Sequence, residues 1–155
     1  DIPTFGSWGI HASLLPNYAG GAPLVWAIIE GQKETGVTLF RMESGVDDGD
    51  IIAQEKFAIS ENDTIKEVYE NATKTSLKIL STVLNEAYEI KYTKQDKTKI
   101  KIYPQRSPKD GLLDWTWDTE RIKNFIRAQT KPYPGAFFIS NGKKITIWDA
   151  KIENL

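Results

Sequence analysis

A single histidine, His11, stands in the whole 155-residue chain. Imidazole titrates nearest neutral pH of all unperturbed side chains, so it is the group best suited to take and return a proton under ordinary conditions. His11 follows Ile10 at the end of an apolar stretch and precedes a loop carrying Pro16, Asn17, Gly20, Gly21 and Pro23. Strand ends beside such loops are where open α/β sheets place their sites. The other chemically loaded segment is Glu43-Ser44-Gly45-Val46-Asp47-Asp48-Gly49-Asp50, an acidic turn after the next strand, from which a carboxylate can reach the imidazole. Both features have plainer readings. A lone histidine often serves structure, and Asp and Gly supply the conformations that turns require. Calcium is a further reading of the turn, but the spacing lacks the ligand pattern and distal Glu of an EF-hand. Zinc needs more nitrogen or sulfur ligands than one histidine supplies, and no metal is expected.

Two groups far apart in sequence meet only if the elements between them fold back. Residues 1 to about 60 read as short strands and one helix. Pro23 suits the first turn of that helix, where its missing N–H is not needed. Leu24, Val25, Trp26, Ala27, Ile28 and Ile29 make it apolar nearly all round, which predicts burial between a sheet and another layer, and Gly31 stops it. Residues 35–42 and 51–59 are β-branched and aromatic enough for strands. Asp63 and Thr64 cap a long amphipathic helix. Its Ile65, Val68, Tyr69, Ala72, Leu77, Leu80 and Leu84 recur at three- and four-residue steps up to about Tyr88, and Trp26, Ile28, Val68 and Leu80 are expected inside. From 91 to 108 the composition turns to Lys, Gln, Thr and Pro, with one Asp, and reads as a basic linker. Beyond it Asp118 caps a helix to about Gln129, Pro132 and Pro134 stop it, and residues 136–147 form a hairpin about Asn141-Gly142. The expected division is therefore 1–90, a linker at 91–108, and a small subdomain at 109–155.

Composition narrows the function. With 40% hydrophobic and 26% charged residues the chain has the makeup of a globular protein, and 20 basic against 21 acidic side chains leave no bulk field to attract nucleic acid or an anionic membrane. No apolar run approaches the roughly 18 residues that span a bilayer. The absence of cysteine removes disulfides and thiolate chemistry and is compatible with a reducing cytosol, so a cytoplasmic location is expected. The chain opens Asp1-Ile2-Pro3 with neither a methionine nor a signal-peptide pattern, and it is read as a fragment.

The run Ile10-His11-Ala12-Ser13-Leu14-Leu15-Pro16-Asn17-Tyr18-Ala19-Gly20-Gly21-Ala22-Pro23, then Glu34-Thr35-Gly36-Val37-Thr38, then Gly45-Val46-Asp47-Asp48-Gly49-Asp50, resembles the 10-formyltetrahydrofolate-dependent formyltransferases. Three blocks fall in the family's order and spacing over roughly residues 8–59. Weaker similarity continues through Arg106-Ser107-Pro108-Lys109-Asp110-Gly111, Asp114-Trp115, Arg127-Ala128 and Tyr133-Pro134-Gly135-Ala136-Phe137. That second half is similar to sugar-nucleotide formyltransferases and to methionyl-tRNA formyltransferase.

The resemblance implies an α/β fold: the second half of a Rossmann-like formyltransferase domain, with a mostly parallel sheet and flanking helices. A small α+β part follows, with a partial OB-like subdomain as its candidate form. It implies attack of a primary amine on the formyl carbon of 10-formyltetrahydrofolate, with His11 and Asp47 as the catalytic residues. The turn backbone at Val46, Asp47, Asp48 and Gly49 would lie against the pterin, while Tyr18, Gly20, Gly21 and Pro23 shape the loop through which the amine enters. Two departures stand out. Gly9 occupies the position of a family Asn that donates to the oxyanion, a loss typically worth roughly 10²–10³ in rate, and Ala19 stands where many relatives carry Arg. The favoured acceptor is the amino sugar of a nucleotide sugar. Methionyl-tRNA is an alternative, with the basic stretch from Lys91 to Arg106 tracking phosphates; an impaired binding module is another, and a hydrolase using water is a close relative. A second copy of the chain is retained as a partner, a membrane is not. The missing first half-domain predicts that this chain alone is nearly inactive.

Overall fold

The computed structural model describes residues 3–4, 6–85 and 90–153. In chain order its elements are β1 (Trp8–His11), β2 (Ala19–Gly20), α1 (Pro23–Ile29), β3 (Glu34–Arg41), β4 (Ile51–Ala58), α2 (Ile65–Asn85), β5 (Ile102–Tyr103), α3 (Thr119–Gln129), β6 (Ala136–Ser140) and β7 (Lys143–Ile147). The expected end of α2 near Tyr88 lies outside the described residues. β3 runs through the middle of a three-stranded sheet ordered β1-β3-β4, and its six interior residues are all buried. α2 covers it and α1 packs beside it on α2 and α3, and Leu24, Ile28, Val37, Leu39, Ile65 and Val68 form the centre of the core.

The α/β class holds, but the sheet is antiparallel throughout, not mostly parallel: Trp8 pairs with Arg41, His11 with Thr38, and Glu34 with Ala58. Connection length explains this for β3 and β4. The turn between Arg41 and Ile51 folds β4 straight back on β3, a hairpin that permits only the antiparallel direction. The connection from His11 to Glu34 is long enough for either direction, and the pairing of Trp8 with Arg41 shows β1 to run antiparallel to β3. Parallel pairing among the described residues is confined to the short β2–β5 ladder and an isolated bridge between Leu112 and Phe137.

α2 buries Ile65, Val68, Ala72, Ile79 and Val83. Leu80 is only half-buried, and Tyr69, Leu77 and Leu84 are exposed. At 3.6 residues per turn the buried five share a stripe about 60° wide, whereas Leu77 and Leu84 lie some 100–120° round from Ile65. Trp26 is also half-buried, because its indole reaches the edge of α1 and donates through Nε1 to the Pro104 carbonyl at 3.0 Å.

Residues 91–108 are bonded to the sheet side of the molecule and do not hang free as a linker. Thr93 and Ile51 exchange two backbone hydrogen bonds of 2.8 Å, Gln95 is buried, and β5 lies along β2. The lysines that gave the segment its linker-like composition point outward. Beyond it, the Asp118 carboxylate caps α3 by accepting the Arg121 N–H at 2.8 Å. β6 and β7 pair around Asn141 and Gly142, both at positive φ as a two-residue hairpin turn requires. α3 packs on α1, and Arg127 donates from Nη1 to the Asp63 carbonyl at 2.6 Å and the Ser60 carbonyl at 3.2 Å. No helix among the described residues is long and apolar enough to cross a membrane.

Candidate active site

β1 delivers His11 to the end of the sheet, where it is buried. Its Nε2 lies 2.8 Å from the Tyr18 carbonyl. A carbonyl only accepts, so Nε2 carries the hydrogen in this contact and Nδ1 is left to face the acidic turn. There Nδ1 is 3.4 Å from Asp47 Oδ2. The same oxygen accepts the Gly20 N–H at 2.8 Å, so one carboxylate ties the His11 strand, the glycine loop and the acidic turn together. Asp47 Oδ1 makes no hydrogen bond among the described residues.

The surrounding loop is built by close backbone approach. Gly20 has φ +92°, and a Cβ there would run into the Tyr103 carbonyl; at Gly21 it would run into the Gln105 backbone. Gly21 N–H donates to Tyr103 O at 2.9 Å, and Pro23 opens α1. Tyr18 stacks on Tyr103 with ring centroids 4.8 Å apart. Both phenols donate to Glu30, Tyr18 at 2.6 Å and Tyr103 at 3.1 Å. Burial, followed by the Glu30 carboxylate, holds the Tyr18 phenol well above the usual tyrosine range. The Thr38 hydroxyl, fully buried, donates to Ser13 O at 2.6 Å and accepts from Leu15 N–H and Gln54, fixing the chain just after His11.

In the acidic turn, Asp47 has φ +50° and Val46 is exposed. Asp48 pairs with Lys97 at 2.7 Å, a contact that holds its carboxyl below the usual carboxylate range. Gly49 is required by packing, since a Cβ would overlap the Arg41 carbonyl. Asp50 accepts the Arg41 N–H through its backbone oxygen; its side chain makes no hydrogen bond among the described residues. Gln95, which composition alone had hidden in a basic stretch, donates through Nε2 to the carbonyls of Asp47 and Gly49, both at 2.7 Å. Glu30 and Thr38 were likewise unmarked. Ile100 and Tyr103 inside a polar run were the signal that this stretch returns to the core: Ile100 packs against Leu15, Ala19 and Phe40 and Tyr103 stacks on Tyr18, whereas Ile102 is exposed.

Both departures have structural counterparts. Ala19 is fully buried beside Leu15 and Phe40, where an arginine would place an unpaired charge in an apolar cluster. At Gly9 an added Cβ would lie 3.0 Å from the Phe40 ring and 3.3 Å from Met42 Cγ, so the cross-strand Phe40 occupies the space a longer side chain would need. A separate cavity of about 230 Å³ lies between α1 and the C-terminal part, lined by Val25, Arg106, Gln129 and Tyr133 among others. The Arg106 guanidinium stands 4.7 Å over the Trp26 ring there and donates to Gln129 at 2.8 Å.

Residues 2–84 match the family described as "Formyl transferase", and residues 105–155 match "Formyl transferase, C-terminal domain". The chain belongs to the formyl transferase family. It is 44% identical over 153 residues to a bifunctional polymyxin resistance protein ArnA of Wigglesworthia glossinidia brevipalpis, a match that takes in 97% of this chain and 23% of that protein. The chain thus spans about a quarter of the length of that curated relative. An N-formyltransferase from Helicobacter canadensis, solved with folinic acid and dTDP-3-aminofucose, is 26% identical with a TM-score of 0.76 over 89% of this chain and 52% of that one. The methionyl-tRNA formyltransferase of Clostridium thermocellum has a TM-score of 0.77 over 93% of this chain and 68% of that one, and at 24% identity it speaks to the fold alone.

Proposed function

We propose that the full-length protein transfers a formyl group from 10-formyltetrahydrofolate to a primary amine, and that the acceptor is the amino sugar of a nucleotide sugar. The observation that carries this reading is the His11–Asp47 pair, 3.4 Å apart, one from the end of β1 and the other from the acidic turn, both tied to the loop of Tyr18 and Gly20. Bound 10-formyltetrahydrofolate supplies an electrophilic formyl carbon. The acidic turn suits its pterin: Asp48 Oδ1 is a buried oxygen without a partner among the described residues, and a pterin edge offers N–H donors. Val46, Asp47, Asp48 and Gly49 are the residues we assign to that contact, and Tyr18, Gly20, Gly21 and Pro23 to the loop admitting the amine.

His11 and Asp47 then act as one unit. With Nε2 held by the Tyr18 carbonyl, the imidazole works through its Nδ1 edge beside the carboxylate. Asp47 keeps Oδ2 beside Gly20 and His11, and its Oδ1 takes the proton leaving the attacking amine, directly or through one water, and returns it to the folate nitrogen that departs as its bond to the formyl carbon breaks, so that the formamide and tetrahydrofolate are the products. Gly9 offers no side-chain donor to an oxyanion, so the transfer is expected to be slower than in a chain carrying Asn there.

Support for the sugar acceptor comes from the dTDP-3-aminofucose with which the Helicobacter canadensis N-formyltransferase was solved and from Arg106, a cation at a cavity wall reached from His11 through Tyr18, Tyr103 and Trp26. The tRNA reading is kept as the alternative, with the exposed Lys91, Lys94, Lys97, Lys99 and Lys101 as its phosphate contacts. We assign residues 1–90 to the catalytic domain and 109–155 to a C-terminal subdomain, and place the reaction in the cytoplasm, which a cysteine-free chain suits. Tetrahydrofolate release is to be measured with amino-sugar nucleotide, initiator methionyl-tRNA and water as acceptors. The expected result is release with the first; release with tRNA alone, with water alone, or with none favours the tRNA enzyme, the hydrolase or the binding module respectively.

A further inference from the structure

We infer that Gln95 is a positioning residue, whose carboxamide holds the acidic turn in the shape that places the Asp47 carboxylate beside His11. The turn needs such a hold. Asp47 sits at φ +50°, a left-handed conformation that a non-glycine residue adopts at a cost, and residues 43–46 are exposed. Gln95 supplies it from inside: the side chain is buried, and Nε2 donates to the carbonyls on either side of Asp48 at 2.7 Å each. The residues flanking Gln95 are themselves fixed. Two residues before it, Thr93 is doubly bonded to Ile51, and two residues after it, Lys97 reaches Asp48. Of these contacts the Lys97 ion pair is mostly solvent-exposed on the lysine side and contributes little. The Gln95 bonds are buried, and losing them leaves inward-facing carbonyls unpaired.

Movement of the turn carries Asp47 with it. Its Oδ2 then leaves Gly20 N–H and His11 Nδ1, so the imidazole reports the state of Gln95 without touching it. The catalytic consequence rests on the formyl-transfer reading; the geometric one does not.

The chain's one histidine makes the test direct. In protein labelled with ¹⁵N-histidine, the Nδ1 and Nε2 resonances of His11 are compared between the wild type, Asp47→Ala, Gln95→Met and Lys97→Met. Gln95→Met is expected to move Nδ1 most of the way to its Asp47→Ala position, with amide signals away from residues 43–50 and 91–97 unchanged. Lys97→Met is expected to leave the ring where it was. A folded Gln95→Met with wild-type His11 resonances overturns the inference. If Gln95→Met does not fold, Gln95→Asn, which keeps the amide one methylene short, is judged by the same rule; loss of fold in both shows a general structural role and overturns it as well. In the full-length protein, Gln95→Met is expected to lower kcat about 10²-fold while KM for the amine stays within about threefold. An unchanged kcat with an unmoved ring is the contrary result. Absence of formyl transfer in every form, with the ring still displaced in Gln95→Met, overturns the proposed function and leaves the positioning role standing.

Discussion

His11 has an acceptor against each ring nitrogen, Tyr18 O on one side and Asp47 Oδ2 on the other, and this decides how the residue works. Sequence reasoning reached the pair because two short blocks with a histidine and an aspartate at matched spacing are legible without a fold. It missed Gln95, Glu30 and Thr38, because the role of each lies in a contact with backbone or a phenol distant in the chain. The Gly9 position reads differently once Phe40 is seen. Gly9→Asn alone forces the ring aside and is expected to cost about 1–3 kcal/mol of stability, the usual range for overfilling a packed site, measurable by urea unfolding. A gain in transfer rate is expected only when Phe40→Leu is added. Tyr18 gives a pH test. Its phenol is raised by burial and by Glu30, so the neutral form contributes stability in full below the free tyrosine value of about 10, and that contribution is lost as pH rises through the folded-state value. The stability of wild type relative to Tyr18→Phe is expected to fall in that alkaline window; a constant difference would contradict the assignment.

At the scale of elements, periodicity identified α2 and fixed its start at Thr64, whose N–H and hydroxyl bond Glu67. It did not choose between two apolar stripes. The choice falls to the sheet, against which Ile79 and Val83 pack while Leu77 and Leu84 face outward. Ile79→Ala is therefore expected to cost about 2–5 kcal/mol, and Leu77→Ala to stay within about 0.5 kcal/mol, both by denaturant unfolding; the reverse order would refute the packing. Strand direction was illegible for another reason. Hydrophobic pattern marks a strand and its buried faces but not its direction; here the turn between Arg41 and Ile51 dictates antiparallel pairing of β3 and β4.

For the whole molecule, the stretch at 91–108 mattered most and was read least well, since outward lysines dominate its composition while Thr93, Gln95 and Tyr103 make its contacts. Arg127 joins α3 to the loop before α2, and Arg127→Ala is expected to cost about 1.5–3 kcal/mol, read as lost hydrogen-exchange protection along α3. The central claim is that His11 and Asp47 form one reacting unit. Single-turnover formyl transfer to an amino-sugar nucleotide by the full-length protein tests it most directly, with wild type, His11→Ala, Asp47→Asn and the double variant compared. A single unit predicts that each substitution lowers the rate by at least about 10²-fold and that the double variant is no slower than the slower single one; multiplicative losses, or a His11→Ala protein as fast as the wild type, would contradict it.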